Sequence, residues 1–259
     1  MQYTRFIALG DSMTEGMTDE VINGKYRGWA DRVADVIAKK DPNFTYMNLA
    51  IRGKLLKQVV DDQVPAAVKY IDGKQTLVSF HAGANDVLRP NYNPVISFAE
   101  YEKGVEQLTD AGATVILFTV IDKVDGKGKT AQLWHQRFSN FNENVRTVAA
   151  KYPSILFEAK KAEFLNDRRF LAFDRLHMNA EGHRRLANAV LEGLGYEFDK
   201  NWRIPLPQAK KKNKVIKFLV NLAWIAIFLL PWIWRRIRGK SSGDGRSAKY
   251  EVPIKWPNR

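Results

Sequence analysis

Four short segments carry the residue types that acyl chemistry needs. They are Gly10-Asp11-Ser12-Met13-Thr14-Glu15-Gly16, then Asn48-Leu49-Ala50-Ile51-Arg52-Gly53, then Gly83-Ala84-Asn85-Asp86, and last Asp174-Arg175-Leu176-His177. A serine hydroxyl is a poor nucleophile unless a neighbouring base takes its proton. Histidine takes and returns a proton near neutral pH. A carboxylate three residues before it can bond the other ring nitrogen and fix its tautomer. A glycine leaves its N–H unobstructed, and an asparagine amide offers a neutral donor to a developing oxyanion. Each residue also has a plainer reading. Ser12 can cap a short helix, and Asn85, Asp11 and Asp86 suit ordinary turn chemistry.

The elements around these segments place them at strand ends. Apolar runs at 5–9, 45–49, 77–81, 114–120 and 155–157 predict five strands. Val115-Ile116-Leu117-Phe118 is apolar without interruption, the pattern of a strand covered on both faces. Helical spacing falls between them, at 28–40, 55–64, 98–111, 132–151 and 180–194, with Trp29, Val33, Val36 and Ile37 forming one apolar face. Asn179 is placed to cap the last of these helices. Alternating strands and helices predict an α/β fold with a mainly parallel sheet and helices on both sides. Open sheets of this kind bind ligands at the carboxyl ends of their strands, where all four segments fall.

GDS near the start, a glycine after the second strand, GxND after the third and DxxH before the last helix resemble the GDSL/SGNH hydrolases, in order and over about 190 residues. The stretch around Arg27-Gly28-Trp29-Ala30-Asp31 and the 235–246 tail are similar to actinobacterial members. The resemblance implies a three-layer α/β/α, flavodoxin-like fold with a five-stranded, mainly parallel sheet. It makes Ser12 the nucleophile, His177 its general base and Asp174 the residue orienting His177. Its oxyanion hole is the Ser12 and Gly53 backbone N–H groups with the Asn85 amide. It implies acyl transfer to water through an acyl-serine, on small acyl-ester or lipid substrates, with no metal or cofactor. Met13 stands where members commonly carry leucine. Transfer of the acyl group to an alcohol or sugar uses the same residues and stays open, as does a non-catalytic docking role at a membrane surface.

Other polar residues are expected to be less central. His183 reads as a surface residue of the last helix, and His81 as either a pocket wall or a buried structural histidine. Arg52 and Arg89 read as rim charges, solvated or facing an anionic substrate. The loop at 122–129 reads as solvated surface.

The charge is unevenly spread. The 259 residues hold 41 Lys/Arg against 28 Asp/Glu, a net +13, yet residues 1–207 carry only +2 and residues 208–259 carry +11. A near-neutral domain with a basic tail argues against nucleic acid as its partner. No cysteine is present, which excludes disulfides and thiolate-held metals. No basic-then-apolar leader opens the chain, so a cytoplasmic protein is expected, with its tail on the inner face of the cell membrane. The divisions read as a hydrolase domain at 1–200, a basic linker at 201–217, an apolar helix at 218–238 and a disordered end at 239–259.

The apolar run at 218–234 is 17 residues, the lower edge of the ~17–25 needed to cross a bilayer. Asn221 and Pro231 interrupt it, basic residues flank both ends, and Trp224, Trp232 and Trp234 suit an interface. Two readings stand open: a helix on or shallowly anchored in an anionic membrane surface through residues 210–240, or a lid packed over an acyl pocket.

Overall fold

The computed structural model describes residues 2–122, 128–209 and 213–257. Most of the 122–129 loop, and Lys210, Lys211 and Lys212 of the linker, lie outside the described residues.

In chain order the elements are β1 (Arg5–Gly10), α1 (Ser12–Glu15), a small hairpin of β2 (Val21–Ile22) and β3 (Lys25–Tyr26), α2 (Gly28–Ile37) and β4 (Thr45–Asn48). Then come α3 (Leu56–Gln58), α4 (Val64–Val68), β5 (Thr76–His81), α5 (Ala84–Val87), α6 (Pro94–Asp110), β6 (Thr114–Phe118), α7 (Lys129–Lys151) and β7 (Ser154–Phe157). The chain closes with α8 (Ala180–Leu194), α9 (Lys214–Trp224), α10 (Leu230–Ile237) and β8 (Tyr250–Lys255). A π-helical stretch, Ile225–Leu229, joins α9 to α10, so Lys214–Ile237 runs as one helix.

The main sheet has the order β7-β6-β5-β1-β4-β8. Its first five strands pair in parallel, as the sequence predicts. Side chains alternate across each strand, and that alternation divides the core in two. Ile7 and Leu9 of β1, with Val115 and Leu117 of β6, face the layer built by α3, α4, α6 and α7. Phe6 and Ala8, with Ile116 and Phe118, face α2 and α8. The fold is therefore a three-layer α/β/α sandwich. The expected helix at 55–64 forms, running without a break from Leu56 to Val68 as α3, a π turn (Val59–Gln63) and α4, with Pro65 in the first turn of α4.

The end of the chain, expected to be disordered from 239, is a correction. β8 pairs antiparallel with β4, Tyr46 facing Ile254 and Asn48 facing Tyr250, and adds a sixth strand. Trp256 packs edge-on against Tyr46 at 4.9 Å and donates its indole N–H to Asp35 at 3.0 Å. Lys249 reaches into a buried ion pair with Asp31 at 2.7 Å. Glycines, serines and Pro253 hide this strand in the sequence, but proline is tolerated on an edge strand. The alternation of Tyr250, Ile254 and Trp256 supplies its inner face.

Candidate active site

Ser12 opens α1, directly after β1. Asp11 caps that helix, its carboxylate accepting from the Met13 N–H at 3.2 Å. Gly10 can follow β1 into the turn because its φ is +140° and because a Cβ there would stand 2.2 Å from the His81 carbonyl oxygen. The Gln63 amide clamps Gly10 from both sides, donating to its C=O at 2.9 Å and accepting from its N–H at 2.8 Å. The serine is thus fixed through its backbone.

His177 Nε2 lies 2.9 Å from Ser12 Oγ, and His177 Nδ1 lies 2.6 Å from Asp174 Oδ2. The other carboxylate oxygen of Asp174 accepts from the N–H groups of Leu176 and His177, both at 3.0 Å. Burial alone would raise the Asp174 pKa, but the hydrogen bond and charge of His177 and these two N–H donors hold it below the usual carboxylate value. All three side chains belong to buried residues.

Gly53 and Asn85 line the cleft beside Ser12 and His177. Gly53 has φ +76°, a left-handed conformation that glycine adopts without strain. Asn85 donates to Asp11 at 3.1 Å and to the Lys54 carbonyl at 3.1 Å, which aims its amide along the cleft edge. Asp11 is buried, and desolvation pushes its pKa up to about 6 against the lowering effect of the Met13 N–H and His177. Asp86 accepts from the Leu56 N–H at 2.8 Å, and burial likewise pushes it up to about 6. Both carboxylates brace the loops around Ser12.

The residues expected at the rim divide. Arg52 is buried, not solvated: its guanidinium pairs with Glu15, whose carboxylate also accepts the Arg52 N–H at 2.7 Å. This clamp ties the turn bearing Ser12 to the loop bearing Gly53. The sequence alone does not pair Glu15 with Arg52, although Glu15 sits inside the glycine-flanked turn and Arg52 directly precedes Gly53. Arg89 does line the cleft. His81 lines the larger cavity, and burial pushes its pKa down to about 4. His183 corrects the surface reading. It is fully buried, with Nε2 3.1 Å from the Met17 carbonyl, and burial pushes its pKa down.

Ser12 stands between two cavities. One, of ≈ 750 Å³, is walled by apolar side chains including Met13, Leu88, Val120, Phe138 and Leu165. The other is a narrow cleft over Ser12, Gly53, Asn85 and His177, and the C-terminal segment supplies its far wall. Phe228, Trp232, Arg235, Lys240 and Ser241 all face it. Trp224 donates its indole N–H to the Asp174 carbonyl at 3.1 Å, and Asn221 accepts from Arg175 at 2.6 Å. Arg175 also stacks over Trp224, 4.5 Å from the ring centre. A Cβ on Gly53 would stand 2.0 Å from Ser241 Oγ, and one on Gly243 would stand 1.9 Å from the Arg52 carbonyl oxygen. The helix and the loop after it therefore lie across the mouth of the site. Among the described residues no group of three or more His, Cys, Asp or Glu is placed to hold a metal ion.

Residues 8–185 match the model of the GDSL-like lipase/acylhydrolase family. The chain belongs to that family. As a member it is a carboxylic ester hydrolase, and its fold has solved counterparts. An acetylxylan esterase from Geobacillus stearothermophilus, Axe2, superposes with TM-score 0.59 at 18% identity over 76% of this chain and 96% of its own. The psychrotrophic esterase EstA from Pseudoalteromonas sp. does so with TM-score 0.57 at 14% identity, over 74% and 97%. A member of the lipolytic protein G-D-S-L family from Veillonella parvula gives TM-score 0.55 at 21% identity, over 73% and 96%. At these identities the likeness is one of fold. No curated protein matches the chain in sequence.

Proposed function

We propose that this hydrolase cleaves acyl esters through an acyl-serine intermediate formed on Ser12. The carrying observation is the continuous hydrogen-bonded chain from Ser12 Oγ to His177 at 2.9 Å and from His177 to Asp174 at 2.6 Å. Ser12 Oγ attacks the ester carbonyl as His177 Nε2 takes its proton. Asp174, held as a carboxylate, fixes the tautomer and stabilises the imidazolium. The carbonyl oxygen becomes an oxyanion facing the N–H groups of Ser12 and Gly53 and the Asn85 amide. Asn85 turns one of its two N–H bonds from Asp11 or the Lys54 carbonyl toward that oxygen. Collapse breaks the C–O bond, and His177 returns its proton to the leaving alcohol. Water then repeats the sequence: His177 takes its proton, its oxygen attacks the acyl carbon, and Ser12 leaves as a hydroxyl.

The two cavities support a division of the substrate. A volume of ≈ 750 Å³ lies in the ~300–1,000 Å³ range that encloses whole drug-sized ligands. That is far more than an acetyl group fills, which favours a longer acyl chain there. The opposite cleft carries Arg89, Arg235 and Lys240, which favours an alcohol portion bearing negative charge.

A series of p-nitrophenyl esters of increasing acyl length, measured on the wild type and on Ser12→Ala, tests both parts. We expect kcat/KM to rise with chain length in the wild type and turnover to vanish in Ser12→Ala. Equal turnover by the two proteins overturns the nucleophile, and a best substrate at acetate overturns the long-acyl reading.

A further inference from the structure

The helix over the site has two unlike faces. Asn221, Trp224, Phe228, Trp232 and Arg235 recur at steps of three or four, which places them on one side of a helix. That side meets the catalytic loop or walls the cleft. The other side is bare. Leu219 is 55% exposed, Leu230 57% and Ile237 73%. Lys214 and Lys217 sit at one end of the helix, Arg238 and Lys240 just past the other, and no Asp or Glu occurs anywhere from 200 to 243.

A contiguous apolar surface of this kind needs a partner. Length alone would let the helix cross a bilayer. Lys214–Arg235 is 22 residues and holds an 18-residue window of mean hydropathy 2.0; its length is about 33 Å at 1.5 Å per residue against a hydrocarbon core of about 30 Å. The topology forbids it. The chain enters the helix from the hydrolase domain and returns to the same domain as β8, paired to β4. A crossing would leave β8 on the far side of the membrane from its own sheet. Mid-helix contacts from Trp224 and Asn221 to the Asp174 loop require the helix to lie along the domain instead.

We propose that Lys214–Ile237 lies in the plane of an anionic membrane surface. Its bare side sits in the boundary between headgroups and acyl chains, and its other side holds the cleft over Ser12 next to that surface. Apolar burial supplies the anchor, and the basic ends supply the preference for anionic lipid. The enzyme then draws its acyl ester from the membrane rather than from solution, a step that rests on the ester-hydrolase reading above.

The test uses the full-length protein sedimented with vesicles of phosphatidylcholine alone or enriched in phosphatidylglycerol. Hydrolysis of a soluble short-chain ester is read in the same samples. We expect partition onto the phosphatidylglycerol vesicles and much weaker partition onto phosphatidylcholine. Each Lys or Arg near such a surface contributes roughly fivefold, so Lys214→Gln/Lys217→Gln/Arg238→Gln should lose about a hundredfold in partition. Leu219→Ser/Leu230→Ser/Ile237→Ser should abolish it, with soluble-ester hydrolysis unchanged in both variants. Indifference to lipid charge, or no partition at all, overturns the proposal. So does a dimer in vesicle-free solution that the triple serine variant converts to monomer, since a second copy would then cover the face. Vesicle binding that persists without any ester hydrolysis would leave the docking intact and overturn only the hydrolase reading.

Discussion

Trp224, midway along an apolar helix, donates its indole N–H to the backbone carbonyl of Asp174 at 3.1 Å. That bond joins the C-terminal segment to the residue whose carboxylate bonds His177 Nδ1. Trp224→Phe keeps the ring and removes the donor, at a cost of about 0.5–1.5 kcal/mol. We expect faster amide exchange across the helix and a kcat lowered several-fold on soluble esters. Unchanged exchange would show that the contact does not hold the helix.

The Glu15–Arg52 clamp makes a sharper prediction. Both side chains are shielded, at 15% and 11% exposure, so removing one partner leaves a buried charge unpaired, typically about 3–5 kcal/mol. Glu15→Gln should lower Tm by several degrees. It should also lower kcat more than it raises KM, because the Gly53 N–H loses its fixed distance from Ser12. Loss of one oxyanion donor costs roughly 100- to 1000-fold, which sets the ceiling. Steady-state kinetics beside thermal denaturation separates the two effects.

Much of the site was legible because its chemistry depends on rare residue types near strand ends. Ser12 sits between glycines, Asp174 lies three residues before His177, and Asn85 lies two residues past Gly83 in the turn after β5. The five parallel strands were legible because Val115–Phe118 and its companions are apolar on both faces. What escaped depends on partners distant in sequence. His183 looks like any polar helix residue until α8 turns it onto the Met17 carbonyl. Arg52 looks solvated until Glu15 is folded beside it, 37 positions away. β8 has no signature apart from the edge of β4 that it covers, and helical periodicity does not say which surface Trp224 will meet.

The buried Asp11 carboxyl predicts a pH dependence of stability. Its folded pKa is about 6 against an ordinary 3.8. Between those values the folded state binds a proton that the unfolded state does not, so this group's contribution falls as pH rises and is lost above about pH 6. Asp11→Asn keeps one accepting oxygen, so one of the two bonds, from the Met13 N–H or from Asn85, is lost at every pH, and the variant does not titrate. Its stability relative to wild type should therefore improve by up to about 3 kcal/mol between about pH 4 and pH 7. Urea unfolding of both proteins across that range checks this, and a pH-independent difference would refute it.

The basic cleft predicts selectivity. Arg89→Ala and Arg235→Ala should lower kcat/KM for esters with an anionic alcohol by about tenfold or more, in line with ~1.5–3 kcal/mol for a charged hydrogen bond. Neutral esters of the same acyl chain should change little. Equal losses on both substrates would assign these arginines to cleft shape instead of charge recognition.

The central claim is that Ser12 becomes covalently acylated through His177. The most direct measurement is intact-mass and peptide mapping after treatment with a fluorophosphonate probe. A single adduct on Ser12, absent in Ser12→Ala and strongly slowed in His177→Ala, is the predicted result. Labelling that persists in Ser12→Ala, or maps to another residue, would contradict it.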